Sequence, residues 1–187
     1  MPDNRMGCLG DQDSGEAFVR AAYAGLYGWF YRLEGSSDRA ADLTQETFAA
    51  FWESLDRMRG DASPRTWLFA IGKNLWRKQM RDARAFDAER VEALVDEGPS
   101  AERLAEDGEF REAAEQAVRE LPADLREAFV LRFWHEFEYD EIGAIQGVTA
   151  GLARWRFFAA RRRLHRQLAA WDPNPDRAEE DQHARGR

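Results

Sequence analysis

Lys73, Arg77, Arg81 and Arg84 recur at helical spacing, flanked by Asn74 and Lys78. The chemistry they offer is the holding of an anion rather than the breaking of a bond. Arginine supplies a planar fork of N–H donors and lysine a compact ammonium, so such a stripe suits a row of phosphates. A second cationic group, Arg154, Arg156, Arg161, Arg162, Arg163 and Arg166, lies in a stretch with no acidic residue. Catalytic arrangements have little support. His135, His165 and His183 are scattered, and no Cys/His ligand spacing or phosphate-binding glycine loop occurs. Gly72-Lys73 lacks the preceding glycine and following Ser/Thr of a P-loop. Glu136, Glu138, Asp140 and Glu141 could tempt a metal assignment, but a solvated acidic turn is the better account. The expectation is a protein that is not an enzyme, with no metal and no cofactor.

The chain has 187 residues, 44% of them hydrophobic, enough for one domain or two small ones. No apolar run approaches the ~20 residues needed to span a bilayer, and residues 1–14 are polar without a signal-peptide core. The lone Cys8 rules out a disulfide within the chain. These features predict a soluble, cytoplasmic protein with no membrane insertion. A net charge of -8 argues against a nucleic-acid partner, but the charge is segregated. Arg59, Arg65, Lys73, Arg77, Lys78, Arg81 and Arg84 face only Asp61 and Asp82 within 59–84, and an acidic stretch over 87–120 separates them from the second basic group. Two basic patches on either side of an acidic connector fit a protein that touches a polyanion at two places.

The elements that must position these residues are all helical: apolar residues recur every three or four positions, and no alternating run of strand length is present. Helices are expected over 15–33, 37–58 and 63–84, the third opened by Ser63 as cap and Pro64 in the first turn. In the second, Leu43, Thr47, Phe48, Phe51, Trp52 and Leu55 share one stripe, while Asp42, Gln45, Glu46, Glu53 and Asp56 gather opposite, an acidic face that suggests a partner. A linker over 85–108 contains Gly98-Pro99-Ser100. Helical pattern resumes from 109, breaks at Leu121-Pro122, and continues over 123–137, 139–146 and 151–170. Residues 1–14 and the tail 171–187 are expected to be disordered.

The segment 139–149 has helix-turn-helix spacing, with Gly143 where two helices approach and Gly147 in the turn. Ile142, Ile145 and Val148 would fill the core beneath, and Thr149 would cap a second helix whose inward stripe is Ala153, Phe157, Ala160, Leu164 and Leu168. That helix would enter the major groove, with Arg154 and Arg156 near its start and Arg161, Arg162 and Arg163 placed for phosphates.

Together these segments resemble the extracytoplasmic-function (ECF) sigma factors, the smallest members of the bacterial sigma-70 family. Asp42-Leu43-Thr44-Gln45-Glu46-Thr47-Phe48 is similar to the family's region 2.2, and Ser63-Pro64-Arg65-Thr66-Trp67-Leu68-Phe69-Ala70-Ile71-Gly72-Lys73-Asn74 to regions 2.3 and 2.4. Leu121-Pro122-Ala123-Asp124-Leu125-Arg126-Glu127-Ala128-Phe129-Val130-Leu131-Arg132 is similar to region 4.1, ahead of the helix-turn-helix of region 4.2. The resemblance implies an all-α chain of two small helical domains joined by a flexible linker: a region 2 bundle over 15–84 and a region 4 helix-turn-helix over 109–170. It implies a factor that binds core RNA polymerase through the β′ and β subunits and directs promoter-specific transcription initiation under an anti-sigma factor. Asp42, Gln45 and Glu46, with Phe48 and Trp52, would meet polymerase. The loop 57–63 and the following helix would read the minus-10 element, with Arg59, Trp67, Asn74, Trp76, Lys78 and Arg81 as base or strand contacts and Lys73 and Arg77 on phosphates. An opened base stacked on an aromatic ring gains ~1 to 3 kcal/mol, although Trp67 could equally be core. Thr149, Arg154, Trp155, Arg156, Arg161 and Arg162 would read the minus-35 element.

One segment departs from the family. Where members carry a Gly-Thr-Val-Lys-Ser-Arg-Leu type sequence, this chain has Gly151-Leu152-Ala153-Arg154-Trp155-Arg156-Phe157, and Leu152, Trp155 and Phe158 add an apolar stripe beside the arginines. An unusual minus-35 element read through thymine methyls, a docking surface, or a weakened second DNA contact would each account for it, the first being preferred. The rival reading is a helix-turn-helix regulator that never joins polymerase. It leaves the acidic face at Asp42 to Glu46 without a role.

Overall fold

In a computed structural model of the chain, residues 12–55, 62–89 and 107–169 are described. Seven helices occur among them: α1 (Gln12–Glu34), α2 (Ser37–Ser54), α3 (Pro64–Glu89), α4 (Asp107–Arg119), α5 (Ala123–Phe133), α6 (Tyr139–Gln146) and α7 (Ala150–Gln167). The described residues contain no strand, as the periodicity requires. The expected loop around Arg59, most of the linker and the tail lie outside the described residues. Several boundaries differ from expectation: α1 starts at Gln12, inside the stretch expected to be disordered, and α4 at Asp107, inside the expected linker. α3 runs on to Glu89, so the linker starts later than predicted. α5 stops at Phe133 and not at Phe137, and Glu136 then takes a positive φ of 55°.

Local chemistry sets the helix ends. Gly35, at φ 77°, ends α1 in the left-handed conformation that glycine adopts without a Cβ penalty, and its N–H donates to the Tyr31 carbonyl at 2.8 Å. Ser36 caps α2 by accepting from the Arg39 N–H at 3.4 Å. Ser63 accepts from the Thr66 N–H at 3.1 Å with Pro64 opening α3. Glu138 and Glu141 form a reciprocal capping box at the start of α6, which gives two of the clustered carboxylates a local role.

α1, α2 and α3 pack around Leu26, Trp29, Phe30, Leu43, Phe51, Leu68, Phe69 and Trp76. Gly72 lets α3 approach closely, because a Cβ there would stand 2.9 Å from Phe30 Cζ and 3.3 Å from both Leu26 Cδ1 and Thr47 Cγ2. α5, α6 and α7 pack around Ala128, Val130, Leu131, Ile142, Ile145, Ala153 and Ala160. The helix-turn-helix is formed as its glycines suggest: Gly147 caps α6 at φ 71°, and a Cβ on Gly143 would meet the Val148 carbonyl at 2.8 Å.

The two units share one apolar cluster across an α3–α6 seam. The Phe137 ring meets Phe69 edge-on at 5.0 Å, and His135 lies 5.4 Å from the same ring. Arg65 spans the seam, donating to the His135 carbonyl at 2.7 Å while its guanidinium sits 4.1 Å from the Phe137 ring centre. Arg126 on α5 donates to the Leu33 carbonyl at 2.5 Å and so ties α5 to α1.

Candidate nucleic-acid and polymerase interface

α2 buries Leu43, Thr44, Thr47, Phe48 and Phe51, and the hydroxyls of Thr44 and Thr47 each donate to the carbonyl four residues back at 2.6 Å. With its polar groups satisfied inside, the helix turns Asp42, Gln45 and Glu46 outward. Trp52 joins them at 46% exposure, its ring edge-on to Phe51 at 5.6 Å. Phe48 is buried and lies 6.0 Å from the ring of Tyr23, which is itself exposed. Tyr23 therefore extends the aromatic part of this surface on α1. Its spacing relative to α2 is invisible in sequence.

α3 presents its basic stripe unevenly. Asn74, Lys78 and Arg81 are exposed, whereas Lys73 and Arg77 are half-buried against the second unit. Burial pulls the Lys73 ammonium below its ordinary pKa, opposed by the nearby Glu127 carboxylate. Burial opposes the Arg77 charge too, yet hydrogen bonds and attraction from Glu127 and Asp124 outweigh it and raise its pKa. Trp67 is half-buried and donates from Nε1 to the Ser54 hydroxyl at 3.1 Å, so most of its ring belongs to the packing of α2 on α3.

Trp76 corrects the sequence expectation. It is fully buried and donates its indole N–H to the Glu34 carboxylate, so its ring has no face for a base in this packing. The resemblance implied a minus-10 contact at Trp76, but the residue sits on the inward side, one position from the basic row.

On α7, Thr149 spends its hydroxyl as the cap, accepting from the Leu152 N–H at 3.3 Å. Arg154, Trp155, Arg161 and Arg162 are exposed, and the predicted inward residues Ala153, Ala160 and Leu164 are buried. Leu152 and Trp155 are 40% and 59% exposed, side by side on the outer face of the first turns. Arg156 points the other way. Its Nη1 donates to the Gln146 Oε1 at 3.0 Å and its Nη2 pairs with Asp124 at 3.1 Å.

Asp124 and Glu127 are what the sequence reading missed. Arg77 Nε donates to Glu127 Oε1 at 2.6 Å, Arg77 Nη2 pairs with Asp124, and Gln146 Nε2 donates to Glu127 Oε2 at 3.0 Å. Glu127 sits in the apolar run of α5 with its side chain 1% exposed. A carboxylate at helical spacing from Asp124 inside such a run was the signal, since buried charges require partners. Lys73, Asn74, Arg77, Arg81, Asp124, Glu127, Gln146 and Arg156 line a cavity of about 400 Å³.

The family model described as "Sigma-70 region 2" matches residues 18–86, covering most of α1 to α3, and "Sigma-70, region 4" matches 111–164, covering most of α4 to α7. The ECF RNA polymerase sigma factor EcfG of Rhodopseudomonas palustris is 32% identical over 84% of this chain and 88% of its own length. The chain is an ECF sigma factor. It binds core RNA polymerase and directs promoter-specific initiation, and the region 2 match gives α1 to α3 the role that a simple regulator would leave unfilled. The RNA polymerase sigma-H factor of Pseudomonas aeruginosa is 29% identical over 85% of this sigma factor and 88% of the relative. Its fold matches the Bartonella quintana sigma factor RpoE, solved with the anti-sigma factor NepR, with a TM-score of 0.66 and 25% identity over 82% of this chain and 95% of that one. CnrH, solved with the cytosolic domain of CnrY, matches with a TM-score of 0.63 at 25% identity over 87% and 92%. No helix among the described residues is long and apolar enough to cross a membrane.

Proposed function

We propose that this ECF sigma factor divides its contacts among three helices. α2 docks on polymerase through Asp42, Gln45, Glu46 and Trp52, with Phe48 supporting the surface from within. α3 holds the minus-10 strand through Lys73, Asn74, Arg77, Lys78 and Arg81, together with Arg59, which precedes it in sequence. α7 reads the minus-35 element through Arg154, Trp155, Arg161 and Arg162, whereas Arg156, expected on that face, is held inward by Gln146 and Asp124. The observation that carries the reading is the sidedness of α2: its inner face is core, so Asp42, Glu46 and the exposed indole face outward towards a protein surface of opposite charge, although Glu46 also accepts from Gln79 Nε2 at 3.2 Å. A factor that joins core polymerase at promoters would act in the cytoplasm. The complex of the similar RpoE with the anti-sigma factor NepR supports an anti-sigma partner here too.

A pull-down with core polymerase tests the assignment. Asp42→Lys with Glu46→Lys should abolish co-purification while the melting temperature stays near that of the parent, because both side chains are exposed. Co-purification at parental strength would move the docking surface elsewhere.

A further inference from the structure

A side chain that joins the two units is one that DNA would use. Arg77, from the basic stripe of α3, crosses to Asp124 and Glu127 of α5, and inside the second unit Arg156 of the recognition helix pairs with the same Asp124. Each carboxylate oxygen has its own donor: Asp124 takes Arg77 and Arg156, and Glu127 takes Arg77 and Gln146. Two oxygens from neighbouring carboxylates thus fill the Arg77 fork as a phosphate would fill it. We propose that Asp124 and Glu127 stand in for promoter phosphates and hold the free sigma factor closed, so that the α3–α6 seam must open before α3 takes the minus-10 strand. The proposal rests on the assignment of α3 to that strand.

Occupancy makes the closure inhibitory. A strand reaching Lys73 and Arg77 would set its phosphates where Asp124 and Glu127 now lie, and both sets of oxygens cannot share one guanidinium fork. The rest of the seam points the same way: the Thr66 hydroxyl donates to Glu141 at 3.2 Å, and Arg65 holds the His135 carbonyl. The first turns of α3 are therefore also covered by the second unit. Exchange remains possible because Arg77 stays paired throughout, passing from carboxylates to phosphate, while Asp124 keeps Arg156, Glu127 keeps Gln146 and only the oxygens that Arg77 leaves pass to water. A buried pair of this kind contributes little net stability but strongly disfavours losing one partner alone. Closure of this type lowers apparent DNA affinity by the fraction of molecules that are open.

The test compares the full chain with Asp124→Asn and Glu127→Gln, each at fixed salt, by binding of a short fluorescent single-stranded DNA of mixed sequence and by small-angle scattering. Asp140→Asn, an exposed carboxylate outside the seam, measures what loss of one negative charge does by itself. Either clasp variant should bind the DNA about tenfold more tightly than Asp140→Asn and show a larger radius of gyration. If Glu127→Gln unfolds, Asp124→Asn decides, since its side chain is 47% exposed and folding tolerates the change. Clasp variants that match Asp140→Asn in affinity and the parent in radius overturn the proposal. Adding Lys73→Gln to Asp124→Asn separates the two claims. A gain removed by Lys73→Gln supports both. A gain and larger radius that survive it support the closure but overturn the α3 assignment.

Discussion

Trp76 on α3 and Glu34 at the end of α1 are hydrogen-bonded across the core of the first unit, the indole N–H donating to the carboxylate. The other Glu34 oxygen pairs with Arg39 at 3.0 Å, so this nearly buried carboxylate is satisfied from two sides. A tryptophan beside a basic stripe invites a role in base stacking, and the pairing with Glu34 gives it a structural one.

Trp76→Phe should therefore lower stability by about 1 to 3 kcal/mol, the usual cost of leaving a buried polar group without its donor. Transcription by the folded fraction should be unchanged. Urea unfolding together with run-off transcription checks this, and normal stability with lost activity would return Trp76 to the DNA surface.

Gly72→Ala tests the close approach of α3 to α1. A methyl 2.9 Å from Phe30 Cζ forces side chains to shift, and overpacking costs about 1 to 3 kcal/mol. A denaturation midpoint at or above the parental value, as expected if only helix propensity mattered, would contradict the packing.

His135 gives a pH signature. Burial first, then the positive charges of Arg32 and Arg65, hold its pKa at about 4 against the ordinary 6.5. The unfolded chain takes up this proton before the folded one does. Stability from the neutral imidazole is thus complete above about pH 6.5 and is lost as the pH falls towards about 4, by about 2 kcal/mol at about pH 5. His135→Phe should flatten the dependence of the urea midpoint in this window. An equal slope in both proteins would mean that His135 is protonated in the folded state.

Much of the fold was legible because its signals are local. Gly143 and Gly147 fixed the helix-turn-helix by spacing, Ser63-Pro64 marked the start of α3, and the apolar stripe of α2 set which face is outward. The α3–α6 seam was not legible, since it depends on residues such as Arg77 and Glu127 that are distant in sequence. Charge pattern shows that Arg77 and Arg156 are cationic but not that they share Asp124. Trp76 was misread because one position along a helix turns a side chain by about 100°.

Leu152 and Trp155 expose apolar surface on the outer face of α7, where thymine methyls in the major groove are the matching feature of DNA. Once the minus-35 element is known, replacing its thymines by deoxyuridine should weaken binding of the parent chain about five- to tenfold, a loss that Trp155→Ser should no longer show. Equal losses in both proteins would remove Trp155 from base reading.

This chain confers promoter recognition on core polymerase. Run-off transcription from a genomic fragment library, with purified core enzyme in the presence and absence of the chain, tests it most directly. Discrete transcripts that require the chain should appear, and they should disappear with Asp42→Lys and Glu46→Lys. A transcript pattern identical to that of core enzyme alone would contradict it.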